Sequence, residues 1–79
     1  MSYVDLPAEV RKLAEKVLTE KQLRAFELEQ AGLGMQAIAR RLGVTKTAIV
    51  SRIDGAHLKL EKAGVRQDVS GRWYMEEAA

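Results

Sequence analysis

The chain has 79 residues, no cysteine and a formal net charge of +2 at pH 7. A domain of this size buries only roughly 60% of the surface that its unfolded chain exposes, so we expect a single domain with one core. The absence of cysteine excludes a disulfide framework and a thiolate metal site. The sequence has no apolar run of membrane-spanning length and no signal-peptide layout, which predicts a cytoplasmic protein without a membrane partner.

Basic residues are concentrated in the segment 33–66. This segment carries seven Lys or Arg against two Asp or Glu, whereas residues 1–32 and 67–79 each carry more acidic than basic residues. A positive field of this kind attracts phosphate groups. An ordinary solvated face is the alternative explanation of the same charges.

Two helices are predicted in the first half of the chain, after a frayed segment at residues 1–6. The first covers residues 7–18, with Pro7 in its first turn. Its apolar stripe is expected to pack on the chain's own core, with dimerisation as the alternative; the stripe consists of Val10, Leu13, Ala14, Val17 and Leu18. The second covers residues 20–31 and follows a capping box formed by Thr19 and Gln22. Its inner face is predicted to consist of Leu23, Phe26, Leu28 and Ala31, with Phe26 as a core anchor rather than a base-stacking platform.

The stretch 37–60 has the pattern of a helix-turn-helix. A short helix is predicted at residues 35–42 and a longer one at 46–62, joined by a turn in which Gly43 adopts a positive φ and Thr45 caps the second helix. In the second helix, one inward stripe is formed by Ile49, Ile53, Ala56 and Leu60. Gly55 is a weak point in this helix because glycine lowers helix stability by about 1 kcal/mol relative to alanine.

The second helix of such a motif lies in the DNA major groove, and its first turns reach base edges. The candidate base-reading residues are Lys46, Thr47, Val50 and Ser51. A Lys ammonium can donate to guanine, Thr and Ser hydroxyls can bond several bases, and a Val methyl can contact thymine. A plain solvent face is the alternative for these residues. The candidate phosphate-binding residues are Arg40, Arg41, Thr45, Arg52, Lys59, Arg66 and Arg72.

The C-terminal segment changes character. Residues 65–75 predict two short strands, a hairpin that would resemble the wing of winged-helix proteins, with Arg66 and Arg72 beside a phosphate or in the minor groove. Trp73 is predicted to cover the core, with an exposed partner surface as the alternative. Residues 76–79 are predicted to form a solvated tail.

Enzyme chemistry is not predicted. His57 is the only histidine and has no cysteine or second histidine with which to bind zinc, and the sequence pattern pairs it with no evident nucleophile. It is interpreted as a solvated or capping residue. The chain has no Gly-rich phosphate-binding motif. No cofactor and no metal are therefore expected.

More than half of the chain, residues 18–60, resembles without gaps the DNA-binding region four of bacterial sigma factors and the related domain of LuxR-type regulators. The matching pieces are Leu18-Thr19, Glu27-Leu28, Gly32-Leu33, Ile38-Ala39, Leu42-Gly43-Val44-Thr45, Ser51-Arg52-Ile53 and Lys59-Leu60. Three departures stand out. Gly34 occupies the place of a Ser or Thr cap, Val50 that of a Lys or Arg, and Asp54-Gly55 that of a polar or basic pair.

The resemblance implies a mainly α bundle of about four helices that places the helix from Lys46 in the major groove, with Arg52 at phosphate. The expected function is sequence-specific double-stranded DNA binding by a small, free-standing transcriptional regulator of a bacterial cell or a phage. A homodimer on paired half-sites is also expected. The alternative is a protein-interaction module that engages RNA polymerase or a phage DNA-packaging assembly, which Val50 and Asp54 favour.

Overall fold

The computed structural model describes residues 2–76. After a short 3-10 turn at Tyr3–Asp5 it contains four α-helices and one two-stranded antiparallel sheet: α1 (Ala8–Val17), α2 (Glu20–Gln30), α3 (Met35–Leu42), α4 (Lys46–Lys62), β1 (Val65–Gln67) and β2 (Trp73–Met75). The predicted mainly helical fold with a C-terminal hairpin is confirmed. The predicted tail falls largely on residues 77–79, which lie outside the described residues. Within 2–76, the helices lack the combination of length and apolar character that crossing a bilayer requires.

The first of two core clusters joins α1, α2, the second half of α4 and the hairpin. Phe26 lies fully buried at its centre, in edge-to-face contact with Tyr3 and Trp73 at centroid distances of 6.2 and 5.7 Å. Trp73 is only 4% exposed, so its predicted place over the core is confirmed. The stripe of α1 packs on the same cluster, as predicted. The buried members are Leu6, Val10, Ala14, Leu18, Phe26, Ala56, Leu60, Val65 and Trp73.

The second core cluster joins α2, α3 and the first half of α4. Ala39 is buried where α3 meets α4, and its small side chain permits close packing of the two helices. The buried members are Ala25, Ile38, Ala39, Ile49 and Ile53, with Leu28, Leu33, Met35, Leu42 and Val44 packed around them. Ala31 was predicted on the inner face of α2 but is exposed, because α2 ends at Gln30.

The N-terminal segment is ordered, which corrects the expectation of a frayed end for residues 2–6. The Asp5 carboxylate accepts hydrogen bonds from the Ser2 backbone N–H at 3.0 Å and from the Ser2 hydroxyl at 3.1 Å. The Tyr3 hydroxyl donates to the Arg11 carbonyl, and the Arg11 Nε donates to the Leu6 carbonyl. Leu6 is buried in the first core cluster. The Ser2–Asp5 bonds are local, whereas the contacts that hold the segment on the bundle come from α1 and from Phe26 of α2, which a local pattern does not predict.

Helix α4 runs unbroken through Gly55, where the sequence predicted a weak point. A Cβ atom at this position would lie 2.8 Å from Nε2 of Gln22, so the glycine lets α2 approach α4 closely. The Gln22 Oε1 accepts from the Thr19 backbone N–H at 3.1 Å and from Lys59 Nζ at 2.8 Å. One glutamine thus completes the cap of α2 and links α2 to α4.

Candidate nucleic-acid interface

The turn between α3 and α4 fixes the direction in which α4 begins. Gly43 has φ of 70°, a left-handed conformation that glycine adopts without steric cost. The Val44 backbone N–H donates to the Ala39 carbonyl at 3.0 Å, and its side chain packs on the second core cluster. The Thr45 hydroxyl accepts from the Ala48 backbone N–H at 3.1 Å, as predicted for a cap. The turn therefore sets α4 against α3 with little conformational freedom.

The first two turns of α4 separate an apolar side from a polar side. Ile49 and Ile53 are buried in the second core cluster, whereas Lys46, Thr47, Val50 and Ser51 are exposed. The side chains of Lys46, Thr47 and Ser51 make no hydrogen bond or ion pair to residues between 2 and 76. Their donors and acceptors are therefore free to bind a ligand. Val50 is 38% exposed and offers methyl groups on the same face.

A basic cleft lies beside this face, at the junction of three helices. Its four charged residues are Lys21 and Arg24 from α2, Arg41 from α3 and Arg52 from α4, and we use the name basic cleft for this group. They line a concavity of about 400 Å³ together with Leu42 and Val44. Arg24 and Arg41 also border a neighbouring concavity that contains Glu27.

The remaining candidate phosphate-binding residues lie in different surroundings. Arg40 is exposed in the last turn of α3, as the helix dipole favours for a cation. Lys59 is half-buried and engaged with Gln22. The guanidinium of Arg66 donates to the Glu61 carbonyl at 2.7 Å and pairs with Glu76 at 2.9 Å. Arg66 is thus occupied within the protein, while Arg40 is open to a ligand.

The hairpin tip is organised by Asp68. Its Oδ1 accepts hydrogen bonds from the Ser70 hydroxyl and from the backbone N–H groups of Ser70 and Arg72, at 2.7 to 2.9 Å. These bonds, first of all that from the Ser70 side chain, hold the pKa of Asp68 below its ordinary value. Arg72 is exposed and lines a concavity of about 860 Å³ with Leu6 and Trp73, away from the basic cleft. The structure thus brings Arg41 and Arg52 together but leaves Arg72 at another site.

His57 is half-buried and paired with another side chain, which corrects its interpretation as a solvated or capping residue. Its Nε2 lies 2.7 Å from Oε1 of Glu29. The centroid of its ring lies 5.0 Å from the ring centroid of Trp73 and 6.0 Å from that of Phe26. The side chain is about one-third exposed. His57 therefore links α4 to the end of α2 and to β2. Among the described residues, no group of three or more His, Cys, Asp or Glu side chains is placed to hold a metal ion.

Sequence reasoning did not include Lys21 and Arg24 among the candidate residues. Both belong to a segment whose overall charge is negative, whereas most of the predicted phosphate-binding residues come from the basic segment 33–66. Their spacing of three residues on a capped helix predicts that they share one face. That this face adjoins Arg41 and Arg52 depends on how α2 crosses α4, which no local pattern specifies.

Comparisons with protein-family models, with curated proteins and with solved structures give no match to this chain.

Proposed function

We propose that the protein binds double-stranded DNA in a sequence-specific manner and acts as a small transcriptional regulator. The observation that carries this proposal is the exposed face of Lys46, Thr47, Val50 and Ser51 at the start of α4, directly after a rigid turn. A recognition helix uses its N-terminal turns to reach base edges in the major groove. The resemblance of residues 18–60 to region four of sigma factors and to LuxR-type domains supports the same assignment.

The chemistry of the face suits base reading. Lys46 can donate to O6 or N7 of guanine, the hydroxyls of Thr47 and Ser51 can donate or accept, and Val50 can contact a thymine methyl. Ile49 and Ile53 hold the other side of the helix in the core, so the four side chains are presented by a supported backbone. Arg41 and Arg52, which line the basic cleft, and Arg40, which is exposed at the end of α3, are proposed to supply phosphate contacts that position the helix.

Selection of bound duplexes from a random pool, carried out with the full chain, tests the proposal. We expect one enriched motif, with an affinity for it that exceeds the affinity for unrelated duplex by a factor of about 10³ or more. The affinity should fall as salt rises, because phosphate contacts release counterions. A pool that remains random after several rounds, together with equal affinity for all duplexes, would contradict sequence-specific binding.

A second candidate function is a protein-interaction module, engaging RNA polymerase or a phage assembly. The observation that favours it is a row spaced by four residues on α4, in which Val50 and Leu58 are 38% and 52% exposed and Asp54 lies between them. Asp54 would repel a phosphate, and an exposed Leu suits an apolar partner. Retention of polymerase subunits in stoichiometric amounts from nuclease-treated bacterial lysate would support this candidate, whereas a pure DNA binder would retain none.

A further inference from the structure

We propose that the basic cleft of Lys21, Arg24, Arg41 and Arg52 is the binding site of one stretch of the DNA phosphate backbone. The ligand is a phosphodiester of duplex DNA, held by cations from three helices. This inference rests on the proposed function and adds two residues of α2 to the DNA contact surface. It also gives the side of α4 along which that backbone runs.

The geometry of the cleft fits a phosphate group. Four long basic side chains surround a concavity of about 400 Å³ whose other lining residues are Leu42 and Val44. Arginine presents a planar set of N–H donors that matches phosphate oxygens, and lysine adds a point charge. Because the cations come from α2, α3 and α4, this phosphate site exists only when both helices of the helix-turn-helix, α3 and α4, are packed on α2.

Within residues 2–76, the charges of the cleft have no ion-pair partner. No carboxylate of residues 2–76 lies within ion-pair distance of these four side chains, in contrast to Arg66, which pairs with Glu76. Four cations in one concavity repel one another. A polyanion removes this repulsion and gains attraction to all four groups. Glu27 lines the neighbouring concavity together with Arg24 and Arg41, but it does not line the cleft and forms no ion pair with either arginine.

The position of the cleft relative to the base-reading face gives the path of the backbone. Arg52 follows Ser51 directly on α4, and Arg41 lies in the last turn of α3, just before the turn that leads to Lys46. When α4 enters the major groove with Lys46 first, the DNA strand on the α2 side of the helix passes Arg41 and Arg52. Asp54 is turned away from Arg52 by roughly 160° around the helix axis. A backbone on the α2 side therefore avoids its negative charge.

The test uses the full chain and a duplex obtained by selection. We compare Lys21→Ala/Arg24→Ala with Lys12→Ala/Lys16→Ala, which removes two charges from exposed positions of α1. Each lost phosphate contact should weaken binding roughly ten-fold at 0.1 M salt and reduce the salt slope by about 0.9. The α2 variant should therefore lose affinity for all duplexes alike, while the α1 variant should bind like the unmodified chain. Circular dichroism establishes that both variants are folded.

Single methylphosphonate substitutions then locate the contact. Removing one phosphate charge at this site should weaken binding by the unmodified chain more than binding by the α2 variant, which keeps only Arg41 and Arg52 there. The effect should be confined to one or two neighbouring positions of one strand. Inorganic phosphate at up to millimolar concentration should not shift the NMR resonances of the arginine side chains in the cleft. A single free phosphate lacks the contacts that the flanking phosphates of DNA add.

The possible outcomes are distinct. If the chain binds DNA selectively but the α2 variant binds as tightly as the α1 variant, the proposed phosphate site is wrong and the proposed function is unaffected. A chain that binds no duplex would overturn both. Saturable binding of inorganic phosphate in the cleft without any duplex binding would assign the site to a free phosphate and reject the DNA backbone.

Discussion

At the scale of the residue, Gln22 shows how one side chain couples two helices. It completes the capping box of α2, accepts from Lys59 and lies against Gly55 of α4. A side chain at position 55 would displace it. The glycine that weakens α4 as an isolated helix therefore serves the packing of α2 on α4.

This coupling predicts a non-additive pair of substitutions. Gly55→Ala alone should change the free energy of unfolding little, because the gain of about 1 kcal/mol in helix propensity is offset by displacement of Gln22 from its bonds. In a Gln22→Ala background, the same Gly55→Ala change should stabilise the protein by about 1 kcal/mol. Urea unfolding of the unmodified chain, the two single variants and the double variant measures this double-mutant cycle. Equal effects of Gly55→Ala in both backgrounds would contradict the coupling.

Asp68 gives a prediction at acidic pH. Its pKa is lowered below the ordinary value of 3.8 by hydrogen bonds from Ser70 and Arg72, so the folded state favours the carboxylate. The stabilisation is present in full above the ordinary pKa and is lost as the pH falls through the lower folded value. Asp68→Asn should therefore unfold at a lower temperature than the unmodified chain at pH 6, and the difference should shrink below about pH 3.8. A difference that stays constant down to pH 2 would contradict this role.

At the scale of the element, the hairpin is part of the first core cluster. Val65 and Trp73 are buried against α4 and Phe26. Trp73→Ala should destabilise the protein by about 3 to 5 kcal/mol, a large part of the stability of a small domain. Val69→Ser, at the fully exposed tip, should change stability by less than about 0.5 kcal/mol. Thermal unfolding distinguishes the two, and similar melting temperatures would show that the core does not depend on the hairpin.

The helices illustrate what local patterns can predict. Residues 35–42 and 46–62 were predicted and observed with the same bounds, because a positive-φ glycine, a threonine cap and an apolar stripe all point to the same structure. The bounds of α1 differ from the prediction by one residue at each end, and those of α2 by one residue at the C-terminal end. Burial of Leu6, pairing of His57 with Glu29 and convergence of Lys21 with Arg52 could not be predicted, since each joins residues distant in sequence.

At the scale of the whole molecule, charge is distributed unevenly over two ends of the bundle. The second core cluster supports the basic cleft and the exposed residues proposed to read bases, whereas the hairpin end contains Asp68 and the pair of Arg66 with Glu76. DNA is therefore expected to contact the end formed by α2, α3 and the start of α4. On this proposal the hairpin supports the core, and the wing contact predicted for Arg66 and Arg72 stays a prediction.

A single module of this size makes a modest interface with DNA, so we propose a homodimer on paired half-sites. One small module buries about 600 to 1,000 Å² on DNA, and two modules a helical turn apart increase affinity and selectivity. Sedimentation equilibrium with the selected duplex should give two chains per duplex. A monomer at high micromolar concentration, both free and on DNA, would reject the dimer.

The most direct test of the central claim, that the start of α4 reads bases, is a titration of Lys46→Ala on the selected site and on all its single-base variants. Lys62→Ala is the matched control, since it removes the same charge at the other end of α4. Lys46→Ala should remove about 1 to 3 kcal/mol of preference at one base pair and leave preferences elsewhere unchanged. Lys62→Ala should retain every preference. Identical base preferences in both variants would contradict base reading by this face.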